Sequence, residues 1–244
     1  MQTVFSFLMA GVPCPAMEGR RASLRAQLLM KIRAAALDEL RTSGAAHLCL
    51  RKVAKAAGIS PSGLYRYVDG RDGLLELLIS DGFESFGQAI GEAIDAAGND
   101  PLDRLEAMAL GYRRWARANP EWFGLILGTP VPGFQARVDG PTTASVYRFG
   151  EPMVRVVADV HVAGLRSGPN AGAARIDLVN FDSAVVLDAP LKDLLARGWA
   201  RIHGLVMLET FGHLVWTDAN VEELLRTEVR AIMAELGTAA ASTR

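Results

Sequence analysis

The stretch Leu50–Asp69 reads LRKVAKAAGISPSGLYRYVD, and its residue spacing predicts two short helices joined by a tight corner. Such a corner needs a small residue where the two helices cross and a residue that adopts a positive φ without strain. Ala54 and Gly58 occupy those two positions. Ser60 can cap the second helix, and Pro61 suits its first turn. The stretch is therefore typical of a helix-turn-helix.

The second helix of this pair carries polar side chains on its outer side, while Val53, Ile59 and Leu64 have the spacing to hold it from within. Hydroxyl and guanidinium groups can bond phosphate oxygens or base edges in a DNA major groove, and a helix N-terminus attracts anions. For the tyrosines the alternative is packing between helices, and for the arginines it is a solvated surface. We predict DNA contacts from Arg51, Ser60, Pro61, Ser62, Gly63, Tyr65, Arg66, Tyr67 and Arg71.

The charge of the chain is divided unevenly along its length. Between Arg20 and Glu76 there are 11 Lys and Arg residues and 5 Asp and Glu residues, a net charge of +6. Between Leu77 and Arg244 the two counts are 15 and 21, a net charge of −6. A basic segment before an acidic one favours a polyanion-binding head on a body that does not bind polyanions, although six charges can also belong to a solvated surface.

Apolar residues at helical spacing predict helices over most of the remaining chain, so we predict an all-α fold. We expect a disordered tail over 1–19, a three-helix helix-turn-helix domain over 20–70, a connecting helix over 71–97 and a second helical domain over 98–244. The predicted helices cover 24–40, 50–57, 61–68, a stretch from about 71, 102–118, 121–127, 142–162, 190–216 and 221–236. Residues 175–187 fit a helix or a strand equally well.

Three strings in the N-terminal part resemble the TetR (tetracycline-repressor-like) family of bacterial regulators. They are A-x-x-A-G-I-S at 54–60, G-L-Y-R-Y at 63–67 and basic-acidic-x-Leu-Leu at 71–75. Farther along, NPEWF at 119–123 and WARIHG at 199–204 are similar to one branch of that family. Cys49 departs from the pattern, because the family usually has a capping Thr at that position.

This resemblance implies a ligand-responsive transcription regulator. It implies a homodimer held by the last two long helices, a palindromic operator in double-stranded DNA and a small-molecule effector site within 98–244. The simplest mechanism is a repressor that its effector releases from DNA, and activation is left open. The two heads of such a dimer meet half-sites about one DNA turn apart.

Aromatic and sulfur-containing side chains of the 98–244 domain are candidates for an effector pocket, since ligand sites are mostly apolar. Each of them also fits an ordinary core position. His203 fits a hydrogen bond between helices better than a metal site, because its spacing to Met207 supplies no third ligand. We predict neither a metal nor a cofactor. The pocket candidates are Met108, Tyr112, Trp115, Phe123, Phe149, Met153, Trp199, His203 and Met207.

Other function classes have little support in the sequence. The chain contains no phosphate-binding glycine loop, no dinucleotide fingerprint and no nucleophile elbow. Cys14 and Cys49 are too few and too far apart for a disulfide framework or a metal-ligand set, and no segment is apolar enough to span a bilayer. We expect a cytoplasmic protein that is not an enzyme. The alternative, a helical enzyme or interaction module without DNA binding, leaves the basic head unexplained.

Overall fold

The computed structural model describes residues 15–137, 140–166 and 189–242, and the regular elements in these ranges are all helices. The predicted all-α fold is therefore confirmed. The chain divides into two compact units, Met1–Leu74 and Leu75–Arg244. In the parts described, no helix has both the length and the apolar character needed to cross a membrane.

The first unit, called the head below, contains three helices and the start of a fourth within its described residues, 15–74. They are α1 (Pro15–Ser43), α2 (Leu50–Ala57), α3 (Pro61–Leu64) and the first turns of α4 (Gly70–Ala96), with a short 3-10 turn at Ala45–His47 between α1 and α2. The described part of the second unit contains the rest of α4 and five further helices. These are α5 (Pro101–Ala118), α6 (Pro120–Leu127), α7 (Pro141–Arg166), α8 (Ala189–Thr210) and α9 (Val221–Ser242).

The core of the head forms where α1, α2 and α3 present their apolar sides to one another. Ile32 of α1, Val53 and Ala54 of α2 and Leu64 of α3 are at most 1% exposed. Burial of each large aliphatic side chain contributes roughly 1.5–3 kcal/mol, which is more than a helix of four residues gains from its own hydrogen bonds. Position and direction of α3 are therefore set by this core.

The second unit is built around α5, which packs against α7, α8 and α9. Asp100 caps α5 by accepting hydrogen bonds from the backbone N–H groups of Leu102 and Asp103. On one side of the helix, Tyr112 packs against Phe86 of α4 with 5.0 Å between ring centroids. On another, Arg113 donates two hydrogen bonds of 2.7 Å to Glu209 of α8. Apolar packing and a half-buried ion pair thus tie α5 to its neighbours.

Several helix boundaries differ from the sequence predictions; α7 and α9, for example, extend to Arg166 and Ser242. The first helix begins at Pro15, so residues 15–19, predicted as part of a disordered tail, are helical, and residues 1–14 lie outside the described part. The third helix ends at Leu64 instead of Val68, although Tyr67 and Val68 still donate to the Leu64 carbonyl at 2.9 and 3.2 Å. The chain there continues as successive turns.

The prediction that one helix runs from 190 to 216 is wrong at its C-terminal end, because α8 stops at Thr210. Gly212 has a φ of 75° and donates to the Glu209 carbonyl, while His213 donates to the Leu208 carbonyl at 2.7 Å. This pair of bonds around a left-handed glycine is the Schellman motif, which ends helices. The stretch 175–187, left open between helix and strand, lies outside the described residues.

Candidate nucleic-acid interface and ligand pocket

The corner between α2 and α3 has the geometry that the sequence predicts. Gly58 has a φ of 73° and a ψ of 30°, in the left-handed region that favours glycine. Its N–H donates to the Lys55 carbonyl, and the N–H of Ile59 donates to the Ala54 carbonyl at 3.0 Å. The same Schellman bonds that end α8 thus end α2 and turn the chain into α3.

Ser60 caps α3 as predicted. Its hydroxyl oxygen accepts a hydrogen bond of 3.0 Å from the backbone N–H of Gly63 and lies 3.0 Å from the hydroxyl oxygen of Ser62. Cys49, at the equivalent position before α2, makes no side-chain cap. Because a capping serine contributes about 1 kcal/mol, this bond matters for a helix as short as α3.

An exposed polar edge, formed by Ser60, Ser62, Tyr65 and Arg66, projects from α3 and the turn that follows it. Each of these residues is exposed, and Tyr65 is 60% exposed while its neighbour Leu64 is 1% exposed. Pro61 and Arg51 are also exposed, and Gly63 is half-buried. Six of the nine residues predicted to contact DNA thus lie open to solvent on the head.

Tyr67 is half-buried and has a neighbour that sequence analysis missed. The guanidinium carbon of Arg25, on α1, lies 5.7 Å from the centroid of the Tyr67 ring. That distance is within the range of a cation–π interaction. An arginine 42 positions away in the sequence leaves no local signal, so only the fold brings Arg25 beside Tyr67.

Two basic residues of the head form hydrogen bonds and ion pairs with other residues of the head. Arg71 is half-buried, donates to the backbone carbonyls of Ala45 and Ala46 at 2.9 and 3.4 Å, and lies 3.7 Å from Asp72. Lys52 donates to the buried Glu39 at 3.0 Å. Burial acts to raise the pKa of Glu39, but hydrogen bonds led by that from Lys52 outweigh it and the pKa is lowered. Both cations therefore hold the head together, and the DNA contact predicted for Arg71 competes with these bonds.

A pocket of about 250 Å³ lies in the second unit among α5, α7, α8 and α9. Four of the nine predicted effector residues line it, namely Met108, Tyr112, Met153 and Trp199. The lining residues that sequence analysis missed are small or aliphatic, and nothing in the sequence separates them from ordinary core positions. They are Leu105, Ala109, Val154, Val157, Leu195, Gly198, Ile202, Val229 and Ile232.

The other five predicted effector residues do not appear in the lining of this pocket. Trp115 donates its indole N–H to Ser85 at 3.0 Å, and Phe149 stacks on Phe86 with 4.4 Å between ring centroids. Phe123 is fully buried, and Met207 packs against the same core. These side chains form the core around the pocket.

His203, the fifth, makes the interhelical hydrogen bond that the sequence favours. Its Nδ1 atom lies 2.6 Å from the hydroxyl oxygen of Tyr112, and its ring is nearly parallel to that of Trp199, with 5.1 Å between centroids. Burial raises the pKa of Tyr112 and lowers the pKa of His203. Both groups are therefore neutral near pH 7, and the tautomer of the imidazole determines which of the two donates the hydrogen bond.

Comparison with known proteins identifies the class of molecule to which this arrangement belongs. Residues 32–78 match the family described as bacterial regulatory proteins, tetR family. Residues 105–232, more than half of the chain, match the tetracyclin repressor-like C-terminal domain. The chain belongs to the TetR family. It is accordingly a DNA-binding transcription regulator, and its family is not a class of enzymes.

Two similar proteins align with this TetR-family chain over most of their length. The HTH-type transcriptional regulator Rv1816 of Mycobacterium tuberculosis is 31% identical over 199 residues, which cover 80% of this chain and 85% of that protein. The crystal structure of the regulatory protein SCO4313 is 28% identical, with a TM-score of 0.65 over 91% of this chain and 100% of that one.

A more distant structure shares the fold. The transcriptional regulator FadR of Bacillus subtilis, solved in complex with stearoyl-CoA, is 13% identical, with a TM-score of 0.53 over 85% of this chain and 98% of that one. At that level of identity the likeness shows the fold alone.

Proposed function

We propose that this TetR-family regulator is a homodimeric repressor that binds a palindromic operator and releases it when a small molecule enters the pocket of the second unit. The observation that carries the DNA part of the proposal is the exposed edge on α3. Its hydroxyl and guanidinium groups point away from a head core whose members are almost fully buried. Phosphate and base contacts need donors, which Tyr65 and Arg66 would supply, whereas the Ser60 and Ser62 hydroxyls also bond each other at 3.0 Å.

The proposed DNA contacts can be tested with operator fragments selected from genomic DNA by the purified protein. Tyr65→Phe removes one exposed hydroxyl, and we expect operator affinity to fall about tenfold or more, since a hydrogen bond to a charged group contributes roughly 1.5–3 kcal/mol. Arg66→Ala should weaken binding as well. Arg41, which lies at the end of α1 beside Asp38, gives a matched control, and Arg41→Ala should leave affinity unchanged.

Gel-shift titrations over a range of salt concentration are the measurement. Binding by a basic head should fall steeply as salt rises, because phosphate contacts release counterions. If Tyr65→Phe and Arg66→Ala bind as well as the wild type, the exposed edge does not contact the operator. In that case the proposed placement of α3 in a major groove has to be abandoned.

The proposed dimer rests on apolar side chains that α8, α9 and the segment between them leave exposed. Leu208 and Leu224 are 41% and 39% exposed, and Val215 and Trp216 are 83% and 80% exposed. Exposed apolar residues grouped in this way are typical of protein–protein interfaces. We infer that a second copy of the chain covers them.

A charge placed on this surface tests the dimer. We expect Leu224→Glu to produce monomers in sedimentation velocity, because two carboxylates would be buried in a symmetric interface. Leu102 of α5 is equally exposed, at 38%, and Leu102→Glu is the control that should remain dimeric. A dimer that persists in Leu224→Glu would refute the proposed interface.

The proposed ligand response rests on the pocket. Its four lining helices include α8 and α9, so a bound molecule touches the elements that we propose to form the dimer. The FadR structure with stearoyl-CoA gives an example of this fold with a bound acyl-CoA. A ligand can move the protein between two states only by its difference in affinity for them. Release is therefore measured as ligand-dependent loss of the operator complex.

A further inference from the structure

The pocket restricts the chemistry of the molecule that it can accept, and the first restriction is size. A cavity of about 150 Å³ holds one benzene molecule, so a cavity of about 250 Å³ has room for roughly ten non-hydrogen atoms. That is the size of two fused six-membered rings. Long acyl chains and nucleotides do not fit inside it whole and would have to extend beyond its opening.

The second restriction is charge. Among the described residues that line the pocket, none carries an ionisable acid or base other than the tyrosine hydroxyl of Tyr112, and that hydroxyl is already hydrogen-bonded to His203. An ionised ligand would therefore lose its hydration shell without gaining a partner of opposite charge.

Charged residues beside the pocket are engaged with one another. Arg104 and Arg201 directly adjoin the lining residues Leu105 and Ile202 in the sequence. Arg104 is bonded to Asp159 at 3.0 Å, and Arg201 to Glu235 at 2.7 Å. These two guanidinium groups therefore already have acidic partners before a ligand arrives.

The third restriction is shape. The rings of Tyr112 and Trp199, which both line the pocket, are nearly parallel, at an interplanar angle of 15° and with 5.6 Å between centroids. Trp199 is 38% exposed, so part of its indole ring lies open to an incoming molecule. Planar rings pack on such a surface with offset stacking, which adds to the free energy gained from burial alone.

From size, charge and shape together we infer that the pocket binds an uncharged, planar, largely apolar molecule of roughly ten non-hydrogen atoms and rejects its carboxylate analogues. This inference rests on the proposed function, in which the same pocket holds the effector. It names the chemical class of that effector.

Two probes of nearly the same shape test the inference, namely 2-naphthol, which is uncharged at neutral pH, and 2-naphthoate, which is an anion. Isothermal titration calorimetry on the full chain should show binding of 2-naphthol and at least about a hundredfold weaker binding of 2-naphthoate, because the carboxylate is desolvated without a partner. No binding of 2-naphthol, or affinities for the two probes within about tenfold, would overturn the inference.

A matched pair of variants locates the binding. Ile202 lines the pocket. Leu205 lies on the same helix, is also half-buried and packs against the same core, but it does not appear among the pocket-lining residues. We expect Ile202→Trp to fill the pocket and abolish binding of 2-naphthol, while Leu205→Trp retains it. Circular dichroism verifies that both variants are folded. Equal binding by both folded variants would place the ligand elsewhere and overturn the inference.

A gel shift on the operator complex separates this inference from the proposed function. If 2-naphthol binds in the pocket and the operator complex is unaffected, the pocket chemistry stands and this compound does not drive release. If neither probe binds while crude small-molecule extracts still release the operator, ligand-responsive repression stands and the inferred ligand class is wrong.

Discussion

Two arginines of the second unit pair with glutamates of α4, and they allow a direct test of how burial controls the strength of an ion pair. Arg137 donates two hydrogen bonds to Glu76, of 3.0 and 2.9 Å, and Arg148 donates one of 3.0 Å to Glu84. The Glu76 side chain is only 10% exposed, whereas that of Glu84 is 55% exposed. Both arginine side chains are similarly exposed, at 70% and 66%.

We expect Arg137→Ala to lower the free energy of unfolding by about 1–2 kcal/mol. Removal of the guanidinium leaves a nearly buried carboxylate without its bidentate partner, which costs roughly 1–3 kcal/mol, and water that enters where the exposed arginine lay reduces that cost. Arg148→Ala should cost less than about 0.5 kcal/mol, since water replaces the partner of an exposed carboxylate at almost no cost.

Urea denaturation followed by circular dichroism, at one fixed protomer concentration, measures both values. Adding Glu76→Gln to Arg137→Ala should recover part of the loss, because the buried charge is then gone. A double-mutant cycle should give a coupling of about 1 kcal/mol. Equal losses for Arg137→Ala and Arg148→Ala, or no recovery in the double variant, would refute the reasoning that burial of Glu76 determines the effect.

Two further predictions concern backbone conformation and protonation. Gly58→Ala and Gly91→Ala both place a methyl group where no atom lies within 4 Å, but of the two glycines only Gly58 has a positive φ. Gly58→Ala should therefore destabilise the protein by about 1–2 kcal/mol in urea denaturation, while Gly91→Ala should be neutral or stabilising. Equal effects of the two substitutions would contradict the role of the corner. Burial lowers the pKa of His203 in the folded protein below its ordinary value of about 6.5. The neutral imidazole therefore contributes stability above about pH 6.5, and this contribution is lost as the pH falls through the folded-state pKa. The free energy of unfolding should thus fall more steeply between about pH 7 and pH 5 in the wild type than in His203→Gln, and parallel curves would assign the pH dependence to other groups.

Features of the fold that depend on residues close together in the sequence could be predicted from the sequence. The left-handed Gly58 and the capping Ser60 follow from spacing alone, and both have the predicted geometry. Gly212 ends α8 through the same bonds as Gly58 ends α2, and its signal was present in the sequence. It was missed because apolar residues at helical spacing continue past it as far as Trp216.

The candidate sites were predictable only in part, since they depend on contacts between distant residues. Polarity located the exposed edge of the head, but it did not show that Arg71 bonds the Ala45 and Ala46 carbonyls or that Arg25 lies over Tyr67. In the pocket, aromatic character identified Tyr112 and Trp199. Aliphatic residues that line a pocket and aliphatic residues of the core have the same sequence pattern. The other lining residues could therefore be identified only from the structure.

The shortness of α3 has a consequence for genetics. A four-residue helix is not stable by itself, so its orientation depends on the packing of Leu64 and of buried α2 residues such as Val53. A screen for alleles that lose the proposed repression of a reporter gene should therefore yield substitutions at these buried positions as readily as at Tyr65 or Arg66. Loss of regulation would then not identify which residues touch DNA unless each allele is also checked for folding.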